Sequence, residues 1–183
     1  MPFSFQEQHP NIPLSSTQIV TAIEDESSGP TYSVVRLAEA LAARDVRSSV
    51  MSLAFNSGAM ENNGVRCYKF THDRRPKLLP RRLAPSRALA NAVNLAAKEG
   101  TVLHTHGLWR MPNVYPGLAA ASAGAPLVLS PRGMLGGPAL AFSALQKQMF
   151  WHLWQRRALK SLKCIHVTAQ SELEDVRAFG LTA

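Results

Sequence analysis

The sequence has little cysteine and no long apolar run. Its two cysteines, Cys67 and Cys164, lie far apart in no metal-ligand spacing, and no secretory apolar segment opens the chain. We therefore expect reduced thiols in the cytoplasm. No apolar run approaches the roughly 20 residues of a membrane-spanning helix. We expect the protein in the cytoplasm, either free or bound peripherally to the inner face of the membrane.

The composition also lacks the marks of a disordered or fibrous protein. Of the 183 residues, 46% are hydrophobic and 17% are charged, which is typical of a globular chain. A chain of this size buries about 70% of its unfolded surface, so its core needs no disulfide or metal. Residues 1–16 contain prolines and show little periodicity, which predicts a flexible N-terminal arm followed by one folded domain at residues 17–183.

Acidic residues are few. Twenty Lys and Arg oppose twelve Asp and Glu, giving a net charge of +8, and much of the excess lies in residues 66–87. Such a stretch is either a solvated face or a contact for an anionic membrane surface. The stretch lacks the regularly interleaved aromatic residues of a protein that binds single-stranded nucleic acid, so no nucleic acid partner is expected.

Hydrophobic periodicity predicts alternating strands and helices. Helices are expected at about residues 30–44, 86–99 and 138–163. The alternation favours an α/β fold with a mostly parallel sheet. The predicted strands are Thr17–Ile23, Val46–Ala54, Val65–Phe70, Thr101–Gly107, Leu127–Ser130 and Cys164–Thr168.

The loop after the first strand is a candidate phosphate site. It runs from Glu24 to Thr31, and Ser28 and Gly29 precede a predicted helix whose N-terminal N–H groups could hold a phosphate. Alternatively, Gly29 only serves the geometry of a turn. The loop contains no G-x-G-x-x-G, which argues against a dinucleotide-dependent oxidoreductase.

Two histidines stand near the end of the fourth predicted strand. Because strand side chains alternate, His104 and His106 face the same side. Nothing nearby completes a tetrahedral metal site, so no metal is expected. We interpret His104 as a buried structural residue, and His106, next to Gly107, as a donor to a substrate hydroxyl or phosphate.

Two further loops carry polar signals. Arg132 lies among glycines and prolines, which suits a fork-shaped donor to a phosphate or carboxylate, although a solvated surface arginine is the alternative. Near the C-terminus, Ser171 followed by Glu174 predicts a helix capping box.

In this order, the segments VLHTHGLW, LVLSPRGML and TAQSELEDVRAFG resemble the N-terminal half of glycosyltransferase family 4. The resemblance implies a three-layer Rossmann-like domain, one half of a GT-B fold, in a retaining enzyme that uses a nucleotide-sugar donor. Ser28-Gly29 matches the family's Gly-Gly loop against the donor diphosphate and sugar, with the first glycine replaced. His106 matches the catalytic-site histidine that contacts the transferred sugar, and Arg132 matches an acceptor- or phosphate-facing arginine.

The resemblance also implies a saccharide or lipid-linked acceptor, cell-surface polysaccharide synthesis, and no cofactor. The family's C-terminal nucleotide-sugar domain has no counterpart in the sequence, so the isolated chain is expected to be inactive. Two other classes stay open at this point. One is a receiver-like signalling domain, suggested by IVTAIEDE, and the other is a non-enzymatic basic module for an anionic surface.

Overall fold

The protein contains one seven-stranded sheet. A computed structural model describes residues 14–22, 29–74 and 83–183. The strand order across the sheet is β3-β4-β2-β1-β5-β6-β7. The strands are β1 (Ser15–Ala22), β2 (Arg47–Leu53), β3 (Gly58–Asn62), β4 (Val65–Phe70), β5 (Val102–His106), β6 (Leu127–Ser130) and β7 (Leu162–Ile165).

All neighbouring strands are parallel except β3, which pairs antiparallel with β4. Without β3, the chain order of the parallel strands reads 3-2-1-4-5-6, the order of a doubly wound α/β fold. The order reverses between β1 and β5, where Gln18 lies opposite His104 and Val20 opposite His106. This reversal creates the crevice in which such folds bind ligands.

Helices cover both faces of the sheet, which confirms the predicted Rossmann-like α/β class. Within the described ranges, no helix is both long and apolar enough to cross a bilayer. The helices are α1 (Gly29–Ala42), α2 (Arg87–Lys98), α3 (Met111–Ala123), α4 (Gly137–Ala141), α5 (Ala144–Phe150), α6 (Arg156–Ala158) and α7 (Gln170–Phe179), with a π-helical turn at Trp151–Gln155 and a 3-10 turn at Leu159–Ser161.

Strand alternation divides the core into two layers. Val20 and Val50 pack with Val34 of α1 on one face. Their chain neighbours Ile19 and Met51 pack on the other face, against α2 and α3. Burial of about 25 cal/mol per Å² of apolar surface stabilises both contacts. The sheet is thereby held as the central layer of three.

Several boundaries differ from the sequence prediction. β1 begins at Ser15, two residues before the predicted start of the folded part, because Ser15 already pairs with Arg47 of β2. β3 was not predicted, since all five of its residues are exposed and show no alternation. β7 begins at Leu162 and ends at Ile165, earlier than the predicted span.

The long helix predicted over residues 138–163 is wrong. Ser143 adopts a left-handed φ of 57°, which separates α4 from α5. Farther along, the helix widens into a π-helical turn at Trp151–Gln155. The side-chain oxygen of the fully buried Gln155 accepts a hydrogen bond from the backbone N–H of Trp109 at 3.3 Å. π-helical turns interrupt regular helices at positions of this kind. The local periodicity was therefore overridden by a tertiary contact.

A close helix contact provides a test of this packing. A Cβ built on Gly117 of α3 would overlap the carbonyl oxygen of Ala158 in α6. We expect Gly117→Ala to lower the free energy of unfolding by about 1–3 kcal/mol, the usual range for overpacking. Urea denaturation measures the change. Gly58→Ala is the matched control, because nothing lies within 4 Å of its added Cβ, and equal losses for both variants would contradict the packing.

Candidate functional site

The candidate site lies at the carboxyl ends of β1, β5 and β6. His106 is the last residue of β5 and Ser130 the last residue of β6, and they lie opposite each other in the sheet. The Gly107 N–H donates to the Ser130 carbonyl at 2.8 Å, and the Asn113 side chain donates to the His106 carbonyl at 2.9 Å. These bonds fix the strand ends from which the loops depart.

Both ring nitrogens of His106 are hydrogen-bonded. Nε2 lies 2.9 Å from Oε1 of Gln18, and Nδ1 lies 3.1 Å from Nη2 of Arg132. A guanidinium can only donate, so Nδ1 accepts and Nε2–H donates to Gln18. The Gln18 amide is oriented in turn by donating to Ser16 Oγ at 2.8 Å. His106 is therefore a neutral imidazole in one defined tautomer.

Electrostatics agree with this assignment. Burial is the largest cause that lowers the pKa of His106 to about 2, and electrostatic interactions with His104, Arg132 and His166 lower it further. The pKa of His104 falls to about 3, again mainly through burial, with His166 and Arg132 contributing. Both imidazole rings are therefore uncharged at physiological pH. They can orient hydroxyl groups but cannot serve as imidazolium acids.

His104 belongs to a second hydrogen-bond chain. Its Nε2 lies 2.8 Å from Ser130 Oγ, which lies 2.9 Å from Nδ1 of the exposed His166. The rings of His104 and His106 are adjacent, with centroids 4.1 Å apart and planes tilted by 35°, as expected for two side chains on one face of a strand. His104 is buried within the domain. These hydrogen bonds connect the His104 ring, through the Ser130 hydroxyl, to the solvent-exposed ring of His166.

Arg132 lies on a constrained loop after β6. Its φ of 58° is in the left-handed region, as is that of Gly133 at 71°. A non-glycine residue held there costs on the order of 1–3 kcal/mol, and such residues cluster at ligand sites. The Nε–H of Arg132 is buried and has no hydrogen-bond partner within the described part of the chain. The guanidinium is half-buried and faces His106.

Glu172 of α7 holds this loop in place. Its carboxylate accepts from the Gly133 N–H at 2.7 Å and from the Thr168 N–H at 2.8 Å. Burial alone would raise the pKa of Glu172, but these hydrogen bonds and the charge of Arg132 bring it below its usual value. The carboxylate is therefore ionised.

The predicted capping box at Ser171 and Glu174 is wrong. The N-cap of α7 is Ala169, and no side chain caps the helix there. Ser171 consequently falls inside the helix. The carboxylate of Glu172 takes up the Thr168 N–H just before the helix begins.

Comparison with known families decides the identity of this domain. Residues 28–183 match the family model described as a glycosyl transferase 4-like domain. The chain belongs to this glycosyltransferase family. No curated protein sequence matches the chain. The match includes the ends of β5 and β6 and the loops that follow them, and it supports transferase activity with sugar donor and acceptor substrates in general.

The structure of this glycosyltransferase 4-like domain brings together only some of the predicted site residues. His106 and Arg132 are in contact. Ser28 lies outside the described residues, whereas Gly29 begins α1. In the basic stretch, Arg66 pairs with Glu61 at 3.0 Å, and residues 75–82 lie outside the described part of the chain. Among the described residues, no group of three or more His, Cys, Asp or Glu could hold a metal ion.

Three polar residues of the domain were not singled out by sequence analysis: Gln18, His166 and Glu172. Gln18 could have been found from the sequence, because it lies in the middle of the strand SSTQIVTA. A glutamine that is fully buried at such a position requires a polar partner on a neighbouring strand. His166 and Glu172 follow β7 and carry no comparable local pattern. Their partners, Ser130 and Gly133, are more than thirty residues away.

The depressed histidine pKa values predict a pH-dependent stability. The unfolded chain protonates His104 and His106 near pH 6.5, whereas the folded domain keeps both neutral to about pH 3. The unfolding free energy should therefore fall as the pH drops from 6.5 to 5, by up to about 1.4 kcal/mol per pH unit for each histidine. Urea denaturation across this range measures the slope. His104→Asn should reduce it, and the exposed His72→Asn should not. An unchanged slope in His104→Asn would be inconsistent with a buried neutral ring.

The role of Glu172 is testable with a neighbour on the same helix. Glu172→Gln replaces an ionised acceptor with an amide that opposes two N–H donors, so we expect a loss of about 1–3 kcal/mol in unfolding free energy. Glu174→Gln, at an exposed position two residues later, should change it by less than about 0.5 kcal/mol. Chemical denaturation of both variants distinguishes them. Equal effects would show that Glu172 does not anchor the Gly133 loop.

Proposed function

We propose that this domain binds the acceptor and the transferred sugar in a nucleotide-sugar-dependent glycosyl transfer that retains the anomeric configuration. The observation that carries the proposal is the neutral His106, bonded to Gln18 and Arg132 at the reversal of strand order. Open α/β sheets bind ligands at this reversal. Membership of the glycosyltransferase 4-like family makes a sugar the fitting ligand.

In this proposal His106 orients hydroxyl groups of the sugar. Its depressed pKa keeps it neutral, so one ring nitrogen donates and the other accepts. The transfer then proceeds by front-face attack: the acceptor hydroxyl oxygen bonds to the anomeric carbon as the bond to the donor phosphate oxygen breaks on the same side, and the hydroxyl proton passes to that phosphate oxygen. This route needs no enzymic nucleophile, and the side chains hydrogen-bonded to His106 are the amide of Gln18 and the guanidinium of Arg132, neither of which is one.

Arg132 links anion binding to the histidine. A phosphate that attracts the guanidinium removes it from Nδ1 of His106, and that nitrogen can then accept a hydrogen bond from a sugar hydroxyl. The unpaired Nε–H supplies a second donor for a bidentate contact with phosphate. We therefore assign Arg132 to the phosphate of the donor or acceptor.

The start of α1 is assigned to the donor diphosphate. α1 begins at Gly29 and follows β1, so its N-terminal N–H groups and the positive end of its dipole lie at the same edge of the sheet as His106. Ser28-Gly29 is proposed to contact the diphosphate and sugar.

The wider role proposed is hexosyl transfer to a saccharide or lipid-linked acceptor in cell-surface polysaccharide synthesis in the cytoplasm. Contact of residues 66–87 with an anionic membrane surface stays a prediction. Family membership does not favour the alternatives of a basic binding module or a receiver-like domain.

Substitution of the two adjacent histidines tests the proposal. His106→Asn replaces the imidazole with a shorter amide that cannot bond to Gln18 and also present an acceptor at the position of Nδ1, so kcat should fall about 10²-fold, the scale for loss of one preorganised hydrogen-bonding group. His104→Asn should lower the melting temperature and retain most of kcat. Transfer from a panel of nucleotide sugars is measured for the chain, with a nucleotide-binding partner domain added where turnover requires it.

NMR of the product reports the anomeric configuration. Inversion would contradict the retaining mechanism. Full kcat in His106→Asn, or a larger loss in His104→Asn than in His106→Asn, would overturn the assignment of His106 to the sugar.

A further inference from the structure

An apolar groove adjoins the candidate site and has no role in the function proposed so far. It has a volume of about 590 Å³, within the range of small-molecule sites, roughly 300–1,000 Å³. One wall comes from the loops after β5 and β6, and the other from α4, α5 and the π-helical turn. The apolar side chains that line the groove include Leu108, Trp109, Met134, Phe142, Met149 and Leu153.

The second wall is unusually exposed for its chemistry. Phe142, Met149 and Leu153 are 76%, 55% and 58% exposed, although all three are large apolar side chains. Single exposed apolar residues are normal, but a contiguous group around a concave surface is typical of a binding site. The groove therefore presents apolar surface that a ligand could remove from water.

The charged residues of the groove have one sign. Lys147 and Arg110 are among its lining residues, and no lining residue in the described chain is acidic. The Lys147 ammonium donates to the Ala139 carbonyl and lies 5.9 Å from the ring centres of Trp109 and Phe142. An ammonium next to apolar walls complements an amphiphile that has a negative group beside its apolar chain.

The groove and the candidate site are built on the same two loops. Leu108 follows His106 by two residues, and Met134 follows Arg132 by two. Leu108 N–H donates to Met134 Sδ at 3.1 Å, and the Trp109 indole N–H donates to the Met134 carbonyl at 3.2 Å. The groove wall is therefore joined directly to the residues that carry the polar site.

We propose that the groove binds the apolar chain of a lipid-linked acceptor, whose phosphate group contacts Lys147 and Arg110. The inference rests on the proposed function, because it identifies which acceptor class that function uses. The chain lies along Leu108, Trp109 and Met149. The saccharide end of the lipid is then directed toward the loops of His106 and Arg132.

Binding of farnesyl phosphate below its micelle concentration tests this directly. The chain has three tryptophans, and Trp109 and Trp154 line the groove while Trp151 lies 6.3 Å from Trp109, ring centre to ring centre. Intrinsic fluorescence consequently reports the groove. We expect a saturable change with the phosphorylated lipid and none with inorganic phosphate alone.

Two methionines of nearly equal exposure provide the matched variants. Met149→Glu places a carboxylate in the groove and should weaken farnesyl phosphate binding about tenfold or more, because apolar contact is lost and like charges oppose. Met60→Glu makes the same change on β3 at the opposite edge of the sheet, where the side chain is 56% exposed, and should leave binding unchanged. Equal binding by all three proteins would overturn the groove assignment.

The phosphate contact has its own test. Lys147→Gln should weaken binding of farnesyl phosphate severalfold and leave binding of uncharged farnesol unchanged. Equal affinity of the wild type for farnesol and farnesyl phosphate would overturn the phosphate assignment. Association only with vesicles of anionic phospholipid, without binding of monomeric farnesyl phosphate, would show a membrane contact and would also overturn the proposal.

These outcomes are separable from failure of the proposed function. Lipid binding that depends on Met149, together with no sugar transfer to any acceptor even when a nucleotide-binding partner domain is added, would leave the groove assignment standing and contradict the transferase proposal for this site. Transfer to a water-soluble saccharide without any lipid binding would support the proposed function and refute the lipid-linked acceptor.

Discussion

The hydrogen-bond chain from Ser16 through Gln18 and His106 to Arg132 determines the geometry of the site. It joins β1, β5 and the loop after β6, and its central members are almost completely buried. Buried polar groups are costly unless paired, so each residue limits the orientation of the next. Because an arginine donates at one end, the imidazole must be neutral and its tautomer is fixed. The sheet order places this chain where the loops diverge to form a crevice.

The loop that carries Arg132 is held against its backbone preference. Arg132 has a positive φ, which a non-glycine residue keeps only where the surrounding structure overdetermines the loop. Glu172 supplies that constraint from the far end of the chain by accepting the Gly133 N–H. The N–H groups of Gly133 and Thr168 in turn keep the Glu172 carboxylate ionised. The hydrogen bonds of Glu172 and the conformation of the loop therefore stabilise each other. The guanidinium is thus positioned before any ligand arrives.

Local patterns predicted the parts of the fold that local patterns control. The strands Val65–Phe70 and Leu127–Ser130 have the predicted bounds, since short apolar runs between turn residues favour buried parallel strands. The break after α4 depends instead on the backbone of Ser143, and the π-helical turn is accompanied by the distant contact of Gln155. The second of these lies outside any local window of the sequence, because Trp109 and Gln155 are 46 residues apart.

The site shows the same division. Alternation along β5 was enough to place His104 and His106 on one face, and the loop composition drew attention to Arg132. Their partners could not be found this way, because Gln18 and His106 are 88 residues apart and meet only when β1 and β5 pair. Glycosyltransferase family membership narrows the chemistry, but the tautomer of His106 follows from the three-dimensional contacts alone.

One consequence of the shared loops concerns how a substrate with two unlike ends would be held. The polar chain and the apolar groove are separated by only two residues on each loop, and the Met134 sulfur and carbonyl bind both Leu108 and Trp109. Under the proposed function, a displacement of Arg132 by an anion is transmitted to a wall of the groove through Gly133, the single residue between Arg132 and Met134. Under the proposed function, occupancy of the groove and release of His106 Nδ1 favour the same loop positions. An acceptor that fills both sites would pay the ordering entropy of these loops once, which favours it over a soluble saccharide that contacts the polar site alone.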